Sequence, residues 1–324
     1  MKILAVDDDA FILELLTMMA ARAGFYEVAT ALSGEIALDM IDQNGVVYDC
    51  LLLDISMPGL DGIELCARVR TMPAYQKTPI IMLTAMSEKD FIDRAFRAGA
   101  TDYANKPFDI VELHARLRIA EELAQYRHPV ASISAKSDEP SSDPVANDHP
   151  ALAAEVRIDG IKDLIDYTAL SNYLTQLSHA GIAGSQVIAV KIDRVEGIHA
   201  RSSADEFTYA LTEVADAISQ TMAATGYMMA YAGNGAFVIV SSKAVLEPST
   251  QVETDIQTVL DARDTEYDNG DPLDIEISIG NPLRPNMSRT QRIRKTFDRA
   301  IARAETRAAK KLTEGRSLGI RLIG

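Results

Sequence analysis

Four groups of polar residues in the N-terminal part of the sequence each follow a short apolar run. They are Asp7, Asp8 and Asp9 after residues 3–6, Asp54 after residues 50–53, Thr84 after residues 80–83, and Lys106 after a segment that contains Tyr103. The apolar runs are typical of buried strands, and the amphipathic stretches between them are typical of helices. A cluster of carboxylates at strand ends needs a compensating cation, because like charges repel.

The order of these segments predicts how the polar groups meet. Five strand–helix units in the first 125 residues favour a flavodoxin-like, doubly wound (βα)5 domain of the α/β class, with a parallel sheet covered on both faces. The ligand site of such a sheet lies beyond the carboxyl ends of its strands. We therefore expect the carboxylates, Thr84 and Lys106 to surround one crevice. Oxygen ligands with room for water suit Mg2+.

A competing interpretation treats some of these acids as helix caps. Asp7 or Asp9 would then only accept backbone N–H groups at a helix start. This interpretation is weaker for Asp54, because a buried carboxylate needs a partner.

Composition sets limits on the class of protein. The chain has 324 residues, 47% of them hydrophobic, and a formal net charge of -15. The apolar fraction is sufficient for more than one core, and the acidic balance argues against nucleic-acid binding. No segment resembles a signal peptide or a membrane span. We expect a cytoplasmic protein that does not bind membranes, with Cys50 and Cys66 as buried, reduced side chains.

The distribution of apolar residues divides the chain. Residues 137–144 are polar, charged and contain proline, which predicts a flexible linker at 126–152 between domains at 1–125 and 153–324. In the second domain, strands are predicted at 186–192, 228–231, 236–240 and 273–279, and helices at 209–222, 251–260 and 291–312. The turn Gly233-Asn234-Gly235 favours a central antiparallel hairpin. The pattern predicts an α+β domain.

The end of the chain is basic. Residues 284–324 contain 12 basic and three acidic residues, and much of this charge follows one side of the last predicted helix. The basic side chains could be solvated, could pack against the acidic remainder, or could dock an acidic partner. Nucleic acid ranks third, because charge alone is poor evidence for it.

The first domain closely resembles the receiver domain of two-component response regulators. The matching stretches are Val6-Asp7-Asp8, residues 53–62, Leu83-Thr84-Ala85 and residues 103–108. The resemblance implies that Asp54 accepts a phosphoryl group from a histidine kinase or a phosphotransfer protein. It implies that Mg2+ is held by Asp8, Asp54 and the backbone carbonyl of Ser56, with Asp7 holding a metal-bound water. Lys106 would pair with Asp54 before phosphorylation and precede a cis Pro107.

The same resemblance implies a switch pair. Thr84 would bond the new phosphoryl oxygen, and Tyr103 would move inward. This would reshape the face of the fourth helix, fifth strand and fifth helix, a candidate homodimer surface. A half-buried edge aromatic is the competing interpretation of Tyr103. Asp102, Glu112 and Arg116 partly match charges that pair across such dimers, and solvated surface is the default expectation for them.

The second domain resembles GGDEF diguanylate cyclase domains over about residues 155–317. The matching stretches are residues 168–172, 190–193, 233–237, 278–280 and 298–301. The positions that the family's two-metal chemistry requires have changed. Lys191 replaces the first metal-binding acid, and Asn234, Gly235 and Ala236 replace the second glycine and the acidic pair after Gly233. Asp193 remains, and one carboxylate cannot hold two metal ions.

These resemblances predict a response regulator with a degenerate, nucleotide-cyclase-like output domain that acts by contact with a downstream protein. One alternative is an unusual cyclase controlled by the receiver. Another is an effector that binds a guanine nucleotide or cyclic-di-GMP through non-standard residues.

Overall fold

The computed structural model describes residues 1–43, 45–85, 89–127, 151–153, 156–179, 185–241, 248–285 and 291–321. The chain divides into two compact units, Met1–Ser142 and Asp143–Gly324. Most of the segment assigned to the linker, residues 128–150, lies outside the described residues. The first two linker positions, 126 and 127, belong to a helix that ends at Arg127.

In the described part of the N-terminal unit, five strands alternate with five helices. The strands are β1 (Lys2–Val6), β2 (Glu27–Ala31), β3 (Cys50–Asp54), β4 (Ile80–Thr84) and β5 (Asp102–Asn105). The helices are α1 (Ala10–Arg22), α2 (Gly34–Gln43), α3 (Gly62–Thr71), α4 (Lys89–Arg97) and α5 (Ile110–Arg127). All pairings are parallel, in the order β2-β1-β3-β4-β5. The predicted flavodoxin-like fold is confirmed.

Strand β2 is the one that the sequence analysis did not place. It lies at an edge of the sheet and is only partly buried, so no continuous apolar run marks it. The central strands β3 and β4 are buried along their whole length, which is why their apolar runs are visible in the sequence.

Helices α1 and α5 share one core with β1, β3 and β4. Its members from the two helices include Leu13, Leu16, Met19, Leu113 and Leu117. Helices α2 and α3 contact β1 and β3 without joining this core, as in a doubly wound arrangement. Both cysteines are buried and unpaired, and burial raises their pKa, to about 12 for Cys50 and about 11 for Cys66. Their prediction as buried side chains is confirmed.

Arg70 on α3 connects the turns that precede β4 and β5. Its guanidinium donates to the carbonyl oxygens of Tyr75 and Thr78, at 2.6 Å each, and of Gly99, at 2.9 Å. It also donates to Thr101 Oγ1 at 3.3 Å. One side chain therefore satisfies backbone acceptors in both turns.

We expect Arg70→Met to destabilise the N-terminal unit by roughly 2–4 kcal/mol, because it leaves partly buried carbonyl groups without donors. The measurement is hydrogen exchange of β4 and β5 in the full chain as a function of urea concentration. The matched control is Arg68→Met on the same helix, where the exposed guanidinium pairs with Glu64. Equal protection in the two variants would contradict this role.

The described part of the C-terminal unit is an α+β domain with a four-stranded sheet. Its strands are β6 (Gln186–Ile192), β7 (Tyr227–Tyr231), β8 (Ala236–Ser241) and β9 (Ile277–Ile279). Its helices are α6 (Tyr167–His179), α7 (Val195–Arg201), α8 (Ala204–Met222), α9 (Ser249–Asp261) and α10 (Gln291–Arg321). All pairings are antiparallel, in the order β7-β8-β6-β9.

Several predictions for this unit need correction. The hairpin of β7 and β8 is confirmed, but it is not central, because β7 lies at an edge and β8 pairs with β6. Helix α7 was not predicted, and α8, α9 and α10 are longer than the periodicity indicated.

The strand predicted at 273–279 is shorter than expected. Leu273, Ile275, Ile277 and Ile279 are all buried, as their alternation predicted, but only Ile277–Ile279 forms a strand. The side-chain amide of Gln257 donates to the Ile275 carbonyl at 2.9 Å and accepts the Ile277 N–H at 3.1 Å. A side chain of α9 thus forms the hydrogen bonds that a neighbouring strand would otherwise form with the backbone of residues 275 and 277.

Three basic residues of α10 bind groups of their own unit. Arg303 donates to the carbonyls of residues 281 and 282, Arg307 donates to Glu253, and Lys311 donates to the Ile277 carbonyl and pairs with Glu253. For Arg307 and Lys311, packing against the acidic remainder is the correct interpretation, whereas Arg303 binds backbone carbonyls only. Arg294, Lys295 and Arg299 are exposed, and a docking role stays a prediction for them.

Within the described residues, no helix combines the length and the apolar character needed to cross a membrane.

Candidate functional site

Four of the predicted side chains meet at the carboxyl edge of the parallel sheet. Asp7 follows β1, Asp54 ends β3, Thr84 ends β4, and Lys106 follows β5. The exposed fractions of Asp7, Asp54 and Thr84 are 1%, 3% and 0%. Parallel strands place all of their carboxyl ends on one edge, so the topology itself brings these residues together.

The Lys106 ammonium bridges two buried carboxylates. Its Nζ atom lies 2.6 Å from Asp7 Oδ2 and 2.7 Å from Asp54 Oδ1. Burial acts to lower the pKa of Lys106, but the bonds to Asp54 and Asp7 outweigh burial and raise it. The predicted pairing of Lys106 with Asp54 is confirmed, and so is the cis peptide before Pro107.

Asp54 has partners on both carboxylate oxygens. Oδ1 faces Lys106, and Oδ2 accepts the backbone N–H of Ser56 at 3.0 Å. Burial raises the pKa of Asp54; Lys106 acts in the opposite direction, and the nearby Asp7 adds to the increase. A desolvated carboxylate of this kind is less stabilised as an anion than one in water.

Asp8 is the exposed member of the acidic cluster. Asp7, Asp8 and Asp54 each present an oxygen, and these oxygens all lie within 4.8 Å of one another. Among the residues that the structure describes, this is the one such group of three or more candidate metal ligands. Three carboxylates against one ammonium leave a negative excess that a divalent cation would offset.

The neighbouring residues have distinct roles. Asp9 caps α1 by accepting the Phe11 N–H at 2.8 Å, so the capping interpretation is confirmed for Asp9. Asp7 accepts the Asp9 N–H at 3.0 Å and binds Lys106, so it is more than a cap. The ligand role of the Ser56 carbonyl stays a prediction.

Thr84 and Tyr103 are joined by a side-chain hydrogen bond, and burial raises the pKa of Tyr103 to about 12. Tyr103 is fully buried, so the interpretation of a half-buried edge aromatic is wrong. The predicted inward movement of Tyr103 also needs correction, because its side chain is already turned inward beside Thr84 without a phosphoryl group. The carbonyl of Thr84 accepts the backbone N–H of Lys106 at 2.7 Å. The hydroxyl pair is therefore linked directly to the residue that carries the ammonium.

Two residues that contact Asp54 or the loop after it received no role from the sequence. A Cβ atom at Gly62 would lie 2.0 Å from the Asp54 carbonyl oxygen, so only glycine fits there. Glu35 accepts the Leu60 N–H at 2.9 Å. Gly62 lies inside the matching stretch of residues 53–62, so its position in that stretch could have indicated a role. Glu35 is 25 residues from Leu60 in sequence, and nothing local marked it.

The three charged residues of the candidate dimer face pair within the unit. Asp102 is 4% exposed and lies 2.5 Å from Arg116, which also contacts Glu112 at 2.5 Å. Burial raises the pKa of Asp102, while Arg116 acts to lower it. The expectation of solvated surface is wrong for Asp102 and Arg116, because each supplies the counter-charge that the other needs when buried.

Three positions of the C-terminal unit that the sequence singled out, Lys191, Asn234 and Ala236, also lie together. Lys191 stands opposite Ala236 in the β6–β8 ladder, and its ammonium donates to the Asn234 carbonyl. The turn residues Gly233, Asn234 and Gly235 have φ angles of 82°, 51° and 67°. This left-handed backbone matches the Gly-Asn-Gly sequence.

The backbone N–H groups of this turn bind groups of their own unit. Asn234 donates to the Leu152 carbonyl at 2.9 Å and Gly235 to the Tyr231 hydroxyl at 3.1 Å. Ala236 donates to the Gly233 carbonyl at 3.0 Å. Three consecutive donors are therefore already used within the fold.

Asp193, the remaining acid, is 5% exposed. Its Oδ2 accepts the Ser278 hydroxyl at 2.9 Å and lies 4.0 Å from the Lys311 ammonium. Its Oδ1 has no hydrogen-bond partner among the described residues. Burial raises the pKa of Asp193. A cationic side chain of α10 thus lies at ion-pair distance from this carboxylate.

Comparison with known proteins identifies the first unit. The family model of the response regulator receiver domain matches residues 3–118. The chain is 41% identical over 117 residues to the phosphate regulon transcriptional regulatory protein PhoB of Rhizobium meliloti, covering 36% of this chain and 50% of PhoB. It is 43% identical over 118 residues to the transcriptional regulatory protein ResD of Bacillus subtilis, covering 36% and 46%. It is 36% identical over 117 residues to the response regulator PleD of Caulobacter vibrioides, covering 36% and 25%.

Among solved structures, the chain matches a putative response regulator from Chloroflexus aurantiacus at 42% identity. That match covers 38% of this chain and 97% of the other, with a TM-score of 0.35. The chain covers half of the length of PhoB and less than half of the lengths of ResD and PleD. Residues 3–118 form the receiver domain of a two-component response regulator.

We expect Asp8→Asn to raise the unfolding midpoint of the N-terminal unit in the absence of divalent cations. Removing one of three clustered carboxylates relieves a repulsion of roughly 1 kcal/mol. The measurement is calorimetry of the full chain in a chelator. Asp39→Asn, an exposed acid on α2 outside this cluster, is the control. A midpoint that falls, or that rises equally in the control, would show that the cluster is not under electrostatic strain.

Proposed function

We propose that this protein is a phosphorylation-controlled response regulator whose C-terminal unit signals by protein contact and synthesises no cyclic nucleotide. One observation carries the receiver half of the proposal. The buried Asp54 carboxylate lies at a strand end, bonded to Lys106 and grouped with Asp7 and Asp8.

Asp54 is the proposed nucleophile. One carboxylate oxygen attacks the phosphorus of a phosphohistidine on a histidine kinase or a phosphotransfer protein. The phosphorus–nitrogen bond breaks, its electron pair returns to the imidazole, and Asp54 becomes an acyl phosphate. Lys106, which lies 2.7 Å from Asp54 Oδ1, then pairs with a phosphoryl oxygen and stabilises its charge.

The acidic cluster suits Mg2+. Asp8 and Asp54, with the Ser56 carbonyl, would hold the ion, and Asp7 would hold a bound water. The grouping of three carboxylates within 4.8 Å supports this choice, since oxygen ligands are those that Mg2+ prefers. The ion supplies charge neutralisation for the transferred phosphoryl group.

Thr84 and Tyr103 are the proposed readout. The phosphoryl group adds about two negative charges and three acceptors, and the Thr84 hydroxyl is a donor at the end of the adjacent strand. If Thr84 turns toward the phosphoryl group, its bond to Tyr103 breaks. The face of α4, β5 and α5 then changes. That face is the proposed contact surface, for a second copy or a downstream protein.

Acetyl phosphate with Mg2+ should add one phosphoryl group to the wild-type chain and none to Asp54→Ala, measured by intact mass. Asp61→Ala, at the start of α3, is the control. Equal labelling of the Asp54 and Asp61 variants would refute the assignment.

The C-terminal unit is proposed as a degenerate GGDEF-like module. The support comes from the grouping of Lys191, Asn234 and Ala236 with Asp193 as the sole remaining acid of the predicted set. Lys191 already bonds the turn, and the turn N–H groups are used internally. Two-metal chemistry needs more carboxylates than Asp193 provides.

The purified chain incubated with GTP and Mg2+ should form no cyclic-di-GMP, with and without acetyl phosphate, as followed by chromatography. Product formation that disappears in Asp193→Ala would establish the cyclase alternative instead. Calorimetric titration with GTP and with cyclic-di-GMP tests the binding alternative. Saturable micromolar binding, lost in Lys191→Ala, would favour a nucleotide-sensing effector over a pure contact module.

A further inference from the structure

We infer that Glu35, at the start of α2, is a positioning residue for the loop that carries the phosphoacceptor chemistry. This inference rests on the proposed function of Asp54. The loop spans residues 55–61, between β3 and α3, and includes Ser56, whose carbonyl is a proposed Mg2+ ligand. Glu35 touches neither the proposed metal ligands nor Asp54 in any contact that the structure gives; its contacts are to the far side of the loop.

The Glu35 carboxylate holds that far side. Its Oε1 accepts the Leu60 backbone N–H at 2.9 Å. A Cβ atom placed on Gly59, which has a φ of +75°, would lie 2.6 Å from the same oxygen. The carboxylate therefore lies directly against the backbone of Gly59.

The start of α2 adds a second contact with the same point of the loop. A Cβ atom on Gly34 would lie 2.6 Å from the Leu60 carbonyl oxygen. The start of α2 thus lies against both backbone polar groups of Leu60. Gly34 lies at the carbonyl, and Glu35 accepts the N–H. Hydrogen bonds from its own backbone N–H, from Leu60 and from Ser33 lower the pKa of Glu35, which keeps it an acceptor.

The near side of the loop is fastened to Asp54. The Ser56 N–H donates to Asp54 Oδ2 at 3.0 Å, and the Gly62 N–H donates to the Ile55 carbonyl at 3.2 Å. Between these two points the side chains of Met57 and Leu60 are buried, and the Leu60 N–H takes its acceptor from a different helix, at Glu35. Loss of Glu35 should therefore loosen the backbone of this segment, at Ser56 as well as at Leu60.

The test compares Glu35→Ala with Glu35→Gln in the full chain. Glutamine keeps an oxygen that can accept the Leu60 N–H, whereas alanine removes it. In metal-free buffer, we expect hydrogen exchange at Leu60 and Ser56 to be at least about fivefold faster in the alanine variant than in wild type. An increase of this size corresponds to the loss of roughly one hydrogen bond. We also expect the Mg2+ concentration for half-maximal acetyl phosphate labelling to rise by about fivefold, and Gln to restore both values toward wild type.

Glu64→Ala is the control, because Glu64 is an exposed acid on α3 that pairs with Arg68. Unchanged exchange at Leu60 and Ser56 in Glu35→Ala would overturn the inference, whatever the labelling shows. An equal defect in Glu35→Gln would also overturn it. If wild type is not labelled at all, the proposed function of Asp54 fails, while the exchange result still decides the role of Glu35.

Discussion

The Lys106 ammonium is the interaction on which the receiver site depends. A parallel sheet forces its carboxyl ends onto one edge, and this chain places Asp7 and Asp54 there, both buried. Two buried carboxylates this close repel each other strongly, and only a shared cation makes the arrangement stable. Lys106 supplies that cation at 2.6 Å and 2.7 Å. Its backbone N–H also donates to the carbonyl of Thr84, the residue whose hydroxyl is bonded to Tyr103.

The two units differ in how the carboxylates of their candidate sites are neutralised. In the receiver, one ammonium faces three carboxylates, which leaves the site short of positive charge. In the C-terminal unit, ammonium groups of the chain bind the residues that the sequence singled out. Lys191 donates to the Asn234 carbonyl of the turn, and Lys311 lies 3.0 Å from Glu253 and 4.0 Å from Asp193. The first site is thus suited to take up a cation, while the second already has internal cations. This contrast supports a division of labour between a reacting unit and a contacting unit.

The receiver could be predicted almost completely, because its informative residues are local. Apolar runs of four or five residues mark buried strands, and the residue after each run must lie at the same sheet edge. Strand β2 was missed because an edge strand needs no apolar run. The length of β9 was overestimated, because alternation of apolar residues indicates burial and not strand pairing. Ile275 is buried, but its carbonyl is bound by Gln257 rather than by a strand. Asp102 and Arg116 looked like surface charges because the sequence does not show that each lies beside the other.

The sequence by itself determined which chemistry is available: the acids and the lysine at strand ends, the cap at Asp9, and the Gly-Asn-Gly turn followed by Ala236 in the second unit. These depend on residue type and on spacing within a few positions. Only the tertiary structure decided that Asp7 and Asp54 share one ammonium, that Tyr103 is turned inward, that Glu35 reaches Leu60, and that the basic helix α10 closes onto Glu253. Each of these joins residues tens of positions apart, or depends on which way a side chain packs. Such contacts are set by the packing of whole elements, which no local pattern records.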